Sequence, residues 1–154
     1  YIEEFNLKSN SNIIRKVPLK NNDIKKQLLF SNPINHVSVF FKSSLIKEFN
    51  EKDFYPLIDG FEDYALWVKL IFSGKIFKNI PKVSVFVRAD DKMLNRRGGL
   101  KYIKNEIKFR FFIIKYIPIL QIPPNLVFGL LRVLVFASPN FLKKIFYRIK
   151  RIYF

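Results

Sequence analysis

The sequence predicts an α/β fold for residues 1–110, followed by a basic, aromatic helical tail over residues 111–154. Segments with strand composition and segments with helical periodicity occur in turn through the first part. The charge is also uneven: all 12 acidic residues lie at or before Glu106, whereas nine of the 28 basic residues follow it. Cysteine is absent, which excludes disulfides and thiolate metal sites.

The N-terminal segment predicts two strands and a short helix. Residues 1–5 and 12–17 are strand candidates on either side of a polar turn. Asn22 or Asp23 is a candidate cap for the helix that follows. Asn32-Pro33 ends that helix, because the residue before a proline is kept out of the helical region.

The next segment alternates again. His36–Phe41 is rich in β-branched and aromatic residues and predicts a strand. Lys42–Phe49 has the spacing of a short amphipathic helix.

The clearest helical pattern begins near Glu62. Four apolar residues share one helical face: Leu66, Trp67, Leu70 and Ile71. Asp63 precedes them at the N-terminal edge of that face, where it is directed into a cleft more readily than into solvent. Gly74 suits the C-terminal end of the helix.

Further along, residues 76–79 and 82–89 are strand candidates around Pro81. A charged loop leads to Gly98-Gly99 and to a long helix that starts at Leu100. The apolar face of its first half consists of Leu100, Ile103 and Ile107.

The tail predicts attachment to an anionic membrane surface. Sixteen residues from Tyr116 to Leu131 carry no charge, but a spanning helix needs about 20 apolar residues. This run contains three prolines and is closed by Arg132, so we expect interfacial helices over Asn125–Ala137 and Asn140–Phe154 instead. The six basic residues from Arg132 onward would each add about 1 kcal/mol against anionic lipid. The alternative is that this apolar surface packs on the rest of the protein or on a second copy.

Motifs for other chemistries are missing. The sequence has no Gly-rich phosphate loop, zinc-ligand spacing, Ser/His/Asp order or dinucleotide fingerprint. The single histidine, His36, cannot form a metal site alone, and a satisfied structural role is the more common one for such a residue. Nucleic-acid binding is less favoured, because the basic residues flank apolar runs and no nucleic-acid motif is present.

Three segments in order, 32–42 (Asn-Pro-Ile-Asn-His and a strand-like run), 60–69 (Gly-Phe-Glu-Asp-Tyr-Ala-Leu-Trp-Val-Lys) and 96–99 (Arg-Arg-Gly-Gly), resemble the C-terminal half of family 2 glycosyltransferases. These are bacterial enzymes that build surface polysaccharide and lipopolysaccharide. The resemblance implies the C-terminal part of a GT-A-type mixed sheet flanked by helices. It also implies a nucleotide-sugar donor over the first half of the enzyme and a glycan or lipid-linked acceptor on this half.

The same resemblance implies roles for individual residues. Asp63 would be the general base that deprotonates an acceptor hydroxyl during an inverting displacement, with Glu62 as its neighbour. His36 and Trp67 would lie on the acceptor side. The alternative is that the two acids only complement the helix dipole.

Arg96, Arg97 and Gly98 are candidates for binding the donor diphosphate, because two guanidinium groups stand beside free N–H groups at a helix start. A solvated basic loop is the other reading of that segment. The complete enzyme is expected to use Mg or Mn on an Asp-x-Asp motif, which this chain lacks.

These inferences predict that the donor half is missing and that the chain is a fragment, completed upstream of Tyr1 or by a separate N-terminal half. Its expected place is the cytoplasmic face of the bacterial inner membrane, bound peripherally. The alternative function is a catalytically inactive membrane-associated remnant, with a basic nucleic-acid-binding module as the less favoured one.

Overall fold

The computed structural model describes residues 1–6, 11–49, 54–89, 98–139, 141–143 and 145–146. Within them, strands and helices follow in the order β1 (Ile2–Asn6), β2 (Ser11–Arg15), α1 (Asn21–Gln27), α2 (Ser43–Glu48), α3 (Glu62–Phe72), β3 (Val85–Arg88), α4 (Gly99–Ile114) and α5 (Ile122–Ala137). Short 3-10 turns occupy His36–Ser38 and Ile119–Gln121. The predicted α/β fold is confirmed.

The sheet is mixed and has the order β2-β1-β3. The central strand β1 pairs antiparallel with β2 and parallel with β3. Ile2 lies opposite Arg15 on one side and Val85 on the other, which fixes the register. Ile2 and Glu4 are buried while Glu3 and Phe5 are less so, as the two-residue period of a strand requires.

Helix α3 lies at the centre of the core. Its residues from Tyr64 to Ile71 are all buried except Lys69. The helix ends in a Schellman motif, since Lys75 N–H donates to Leu70 O and Gly74 N–H donates to Ile71 O. Gly74 has a φ of 84°, so the predicted C-terminal glycine is confirmed in the conformation that favours glycine.

The strand predicted over His36–Phe41 is wrong. The backbone carbonyl of Asn35 accepts hydrogen bonds from both the backbone N–H and the hydroxyl of Ser38, which closes a 3-10 turn. The segment therefore satisfies its polar groups locally, and no ladder forms there.

Three other predicted features differ from the structure. Residues 76–79 form no strand, because Asn79 donates its side-chain amide to Pro18 O and Pro33 O and ties the segment to loops. The strand predicted over 82–89 is confined to Val85–Arg88. Helix α1 begins at Asn21 with Lys20 as its N-cap and no side-chain cap, so the predicted caps Asn22 and Asp23 are also wrong.

Helices α4 and α5 pack against each other around buried polar groups. Glu106, fully buried, accepts from Arg110 Nε at 2.7 Å and from Arg132 Nε at 3.0 Å. Arg110 also donates to Asn125 Oδ1 at 2.9 Å. A Cβ added at Gly129 would lie 2.7 Å from Arg110 Cγ, so the close approach of the two helices requires a glycine there.

Helix α5 continues past Arg132, whose guanidinium pairs with Glu106. Together with the preceding 3-10 turn it gives Ile119–Ala137, a 19-residue segment of mean hydropathy 1.7. By length and composition it is the one helical segment of the described chain able to cross a membrane, which alone does not establish a span. The predicted helix over Asn125–Ala137 is confirmed as a helix, whereas most of the one predicted over Asn140–Phe154 lies outside the described residues.

Candidate functional site

A cavity of about 870 Å³ opens between the sheet, the loop after α1, the start of α3 and helix α5. Its polar and charged lining residues are Glu4, Arg15, Ser31, Asn32, Asn35, His36, Asp63, Tyr64, Tyr102 and Arg132. Apolar lining residues come from α5 and the segment after it: Phe128, Leu131, Leu134, Val135, Phe136 and Phe146. Others come from the sheet, the loops and the start of α3: Ile2, Phe30, Ile34, Val37, Phe61 and Val87. The cavity is therefore amphiphilic: polar and apolar side chains line it together, and α5 contributes mostly apolar ones, with Arg132 as its charged member.

Asp63 is one of the charged residues that line this cavity. It is the second residue of α3 and is half-buried. Its carboxylate therefore lies beside the first backbone N–H groups of the helix, which have no partner within the helix. Its Oδ1 accepts from Tyr64 N at 2.8 Å, and its Oδ2 accepts from Asn32 Nδ2 at 2.9 Å. A carboxylate offers about four lone-pair positions, so these two donors leave capacity for a ligand hydroxyl. The helix dipole also favours a negative charge at this end.

Asn32 is itself oriented from the other side. Its Oδ1 accepts from the backbone N–H of Ile34 at 3.1 Å, and its backbone carbonyl accepts from Arg15 Nη2 at 3.1 Å. Because Oδ1 is committed to Ile34, the amide must present Nδ2 to Asp63. The sequence indicated this segment only through its resemblance, since periodicity does not reveal a contact between residues 31 positions apart.

The other predicted site residues on α3 are placed differently. Glu62 begins α3, is half-buried and does not line the cavity. Trp67 is 0% exposed and lies in the core, with its ring centroid 5.8 Å from that of His36. His36 itself is exposed, lines the cavity and contacts Tyr55 edge-on at 6.1 Å. Trp67 thus packs against the His36 ring from the core side. The acceptor-side roles of both residues stay predictions.

Tyr64, the next residue of α3, is buried and also lines the cavity. Its hydroxyl donates to Leu28 O at 2.5 Å, and burial raises the pKa of Tyr64 to about 12 from an ordinary 10.0. The phenol is therefore neutral at physiological pH and acts as a donor that joins α3 to the end of α1.

Asn35 is a cavity residue that the sequence reasoning missed. It is 4% exposed, yet neither its Oδ1 nor its Nδ2 has a hydrogen-bond partner. A buried amide without partners destabilises a fold by about 1–3 kcal/mol per group, so its presence beside the cavity suits a ligand that supplies hydroxyl groups. Its position within the Asn-Pro-Ile-Asn-His segment was the available signal.

The predicted diphosphate site is only partly described. Arg96 and Arg97 lie outside the described residues. Gly98 is the N-cap of α4 with extended backbone, and a Cβ placed on it would lie 2.5 Å from Lys143 Nζ and 3.6 Å from Phe136 O. Gly98 thus adjoins a residue of the cavity wall, and the anion-binding role stays a prediction.

The described residues do not form a metal site. No three His, Asp or Glu side chains among them come together as ligands. The divalent metal expected for the complete enzyme stays a prediction.

Comparison with known proteins relates the chain to bacterial glycosyltransferases. The amylovoran biosynthesis glycosyltransferase AmsE of Erwinia amylovora is 34% identical over 95 residues, which is 62% of this chain and 35% of that protein. The UDP-Gal:alpha-D-GlcNAc-diphosphoundecaprenol beta-1,3-galactosyltransferase of Escherichia coli is 37% identical over 120 residues, 76% of this chain and 42% of that protein. An uncharacterized glycosyltransferase of Haemophilus influenzae is 33% identical over 102 residues, 66% of this chain and 36% of that protein.

The chain is thus homologous to part of these glycosyltransferases and spans 35% to 42% of their length. No family model matches it. No solved structure matches it either.

Proposed function

We propose that the chain is the acceptor-binding, C-terminal part of an inverting glycosyltransferase of family 2 and GT-A type. The observation that carries the proposal is Asp63: a half-buried carboxylate at a helix N-terminus, held by one donor on each oxygen and facing a large cavity. The homology to named glycosyltransferases supplies the reaction class. The mixed three-stranded sheet is consistent with part of a GT-A fold.

The proposed reaction is a single displacement. An acceptor hydroxyl in the cavity donates a hydrogen bond to a remaining lone pair of Asp63. As the acceptor oxygen attacks the anomeric carbon of a nucleotide sugar, its proton passes to Asp63 and the bond to the nucleoside diphosphate breaks. The configuration at the anomeric carbon inverts, and general-base assistance of this kind contributes about 10²–10⁴-fold. A donor half, in the same polypeptide or a separate one, would hold the nucleotide sugar.

For the acceptor we propose a lipid-linked sugar, with a free glycan as the alternative. The cavity combines polar groups around Asp63 with many apolar side chains, several of them from α5, which suits a molecule that has both a sugar and a lipid part. The relative from Escherichia coli is named for a GlcNAc-diphosphoundecaprenol acceptor. Asn35 would pair with hydroxyl groups of the acceptor sugar, since its amide offers one donor group and one acceptor group.

We also propose that α5 places this part of the protein on an anionic membrane, at the cytoplasmic face of the bacterial inner membrane. One face of α5 packs on α4, while Leu126, Val127 and Leu130 on its outer side are exposed. The electrostatic contribution is smaller than the sequence suggested. Arg132 is paired with Glu106 and half-buried, so it is not counted as a lipid-binding charge, and five basic residues follow it in the sequence.

The test is a transfer assay with the full-length natural protein, or with this chain and a separate donor half if one exists. Tritiated UDP-sugars are offered with a synthetic GlcNAc-diphospholipid and, in parallel, with a soluble glycan, and the anomeric configuration of the product is read by NMR. The proposal predicts inverted product on the lipid acceptor. Retention of configuration would contradict the role of Asp63, and no transfer from any donor would favour an inactive remnant.

A further inference from the structure

We infer that Asn32 is the positioning residue of the base: its amide fixes the rotation of the Asp63 carboxylate. This inference rests on the proposed function of Asp63. It assigns to the Asn-Pro segment a specific task that goes beyond shaping a turn.

The contact is a charge-assisted hydrogen bond of 2.9 Å between Asn32 Nδ2 and Asp63 Oδ2. Such bonds are stronger than neutral ones. The second donor, Tyr64 N, belongs to the next residue of the same helix and bonds only Oδ1. Asn32, which lies outside α3, therefore fixes the rotation of the Asp63 carboxylate about its Cβ–Cγ bond.

The orientation of the Asn32 amide is determined by its other bonds. Ile34 N–H donates to Oδ1, so exchange of the amide oxygen and nitrogen would lose that bond and place an oxygen against the Asp63 carboxylate. Arg15 Nη2 donates to the backbone carbonyl of Asn32, and Pro33 is fully buried. The donor is thus held on a rigid turn between the sheet and α3. A general base must stay within hydrogen-bond reach of its substrate, so a fixed partner suits this role.

Asn32→Asp is the decisive variant. It keeps an acceptor for Ile34 N–H but replaces the donor with a carboxylate oxygen facing Asp63. Because two carboxylates that share a site disfavour each other's ionised form, we expect the acid limb of the kcat–pH profile to move up by about one pH unit or more. We also expect kcat to fall at neutral pH.

A matched control is available on the sheet. Asn12 Nδ2 donates to Glu3 Oε1 at the same distance, 2.9 Å, in an exposed position away from the cavity. Asn12→Asp makes the same chemical change and is expected to leave the pH profile unchanged. An acid limb of Asn32→Asp that coincides with the wild type and with Asn12→Asp would overturn the inference.

Asn32→Ser covers the case in which the aspartate variant fails to fold. A serine hydroxyl can accept from the N–H two residues on but cannot reach Asp63, so the turn is kept and the donor is lost. We expect kcat to fall by about tenfold to a hundredfold with KM for the nucleotide sugar unchanged. Wild-type kcat in Asn32→Ser, with Asp63→Asn inactive, would refute positioning by Asn32 while leaving the base assignment intact. Full activity of Asp63→Asn would instead refute the proposed function itself.

Discussion

Replacement of Glu106 by glutamine tests how the tail helix is attached to the body of the domain. Glu106 is 0% exposed, and its two oxygens accept from Arg110 Nε and Arg132 Nε. Glutamine has nearly the same volume, so packing is kept. The change removes the negative charge and turns one acceptor into a donor that faces a guanidinium.

The expected cost follows from the burial of the partners. Arg110 is 3% exposed and would lose the charge that compensates it. Breaking a buried ion pair on one side costs about 3–5 kcal/mol of unfolding free energy. At about 2–4 °C per kcal/mol for a chain of this size, Glu106→Gln lowers the unfolding midpoint by roughly 6–20 °C.

The assay is equilibrium unfolding in urea, followed by the fluorescence of Trp67, the single tryptophan, which is buried in the core. The control is Asp59→Asn, because Asp59 pairs with Lys101 at 3.0 Å while their side chains are 69% and 84% exposed. An exposed pair of this kind contributes about 0–1 kcal/mol. Equal losses for Glu106→Gln and Asp59→Asn would refute the reasoning that the buried pair holds α5 on α4.

Three further predictions concern pH, the cavity and the membrane. The pKa of Tyr64 is about 12 in the folded protein and near 10 in the unfolded chain. The free energy of unfolding therefore falls by up to about 3 kcal/mol as pH rises from 10 to 12, and Tyr64→Phe removes this fall. Identical slopes of unfolding free energy against pH in the wild type and Tyr64→Phe would contradict it. Asn35→Ala keeps or raises the urea midpoint, because it removes two unpartnered polar groups, but it raises KM for the acceptor. Asn125→Ala, which breaks both amide bonds to Arg110, instead costs about 2–3 kcal/mol. An unchanged acceptor KM in Asn35→Ala would remove the ligand role of Asn35. Val127→Gln with Leu130→Gln weakens sedimentation with anionic liposomes, while Leu57→Gln, at a more exposed position on a loop of the body, does not. Equal effects would contradict docking through α5.

The sequence predicts α3 and its surroundings well because several signals agree there. The apolar face of Leu66 and Trp67, the acids at its start and Gly74 at its end each indicate the same helix, and the structure has it over Glu62–Phe72. The two N-terminal strands are likewise found close to their predicted bounds. Consistent local signals are what make an element predictable.

The errors arise where tertiary contacts override local pattern. The apolar face expected on α4 was wrong at two of its three residues, since Leu100 is 86% and Ile107 45% exposed while Ile103 packs against the core. The buried side of α4 carries Glu106 and Arg110 beside Phe109 and Ile113. Charged residues are ordinarily assigned to the surface, and only their mutual pairing across two helices allows burial. Arg132 was counted as a lipid-facing charge for the same reason.

The candidate site could be predicted only in part. Asp63 was found from its place at a helix start and from the resemblance, but its bond to Asn32 joins two segments that periodicity treats separately. Asn35 was missed because an unpaired buried amide is visible only once the surrounding chain is folded. Conversely, Trp67 was expected on the acceptor side, and the fold places it behind His36 in the core.

The central claim is that Asp63 is the general base, and its most direct test is the rate of sugar transfer by Asp63→Asn in the complete enzyme. Asp59→Asn serves as the control, since it removes a nearby acid that does not line the cavity. We predict that kcat falls by about 10²–10⁴-fold in Asp63→Asn with KM for the nucleotide sugar unchanged, and that Asp59→Asn transfers at the wild-type rate. A wild-type kcat in Asp63→Asn would contradict the assignment.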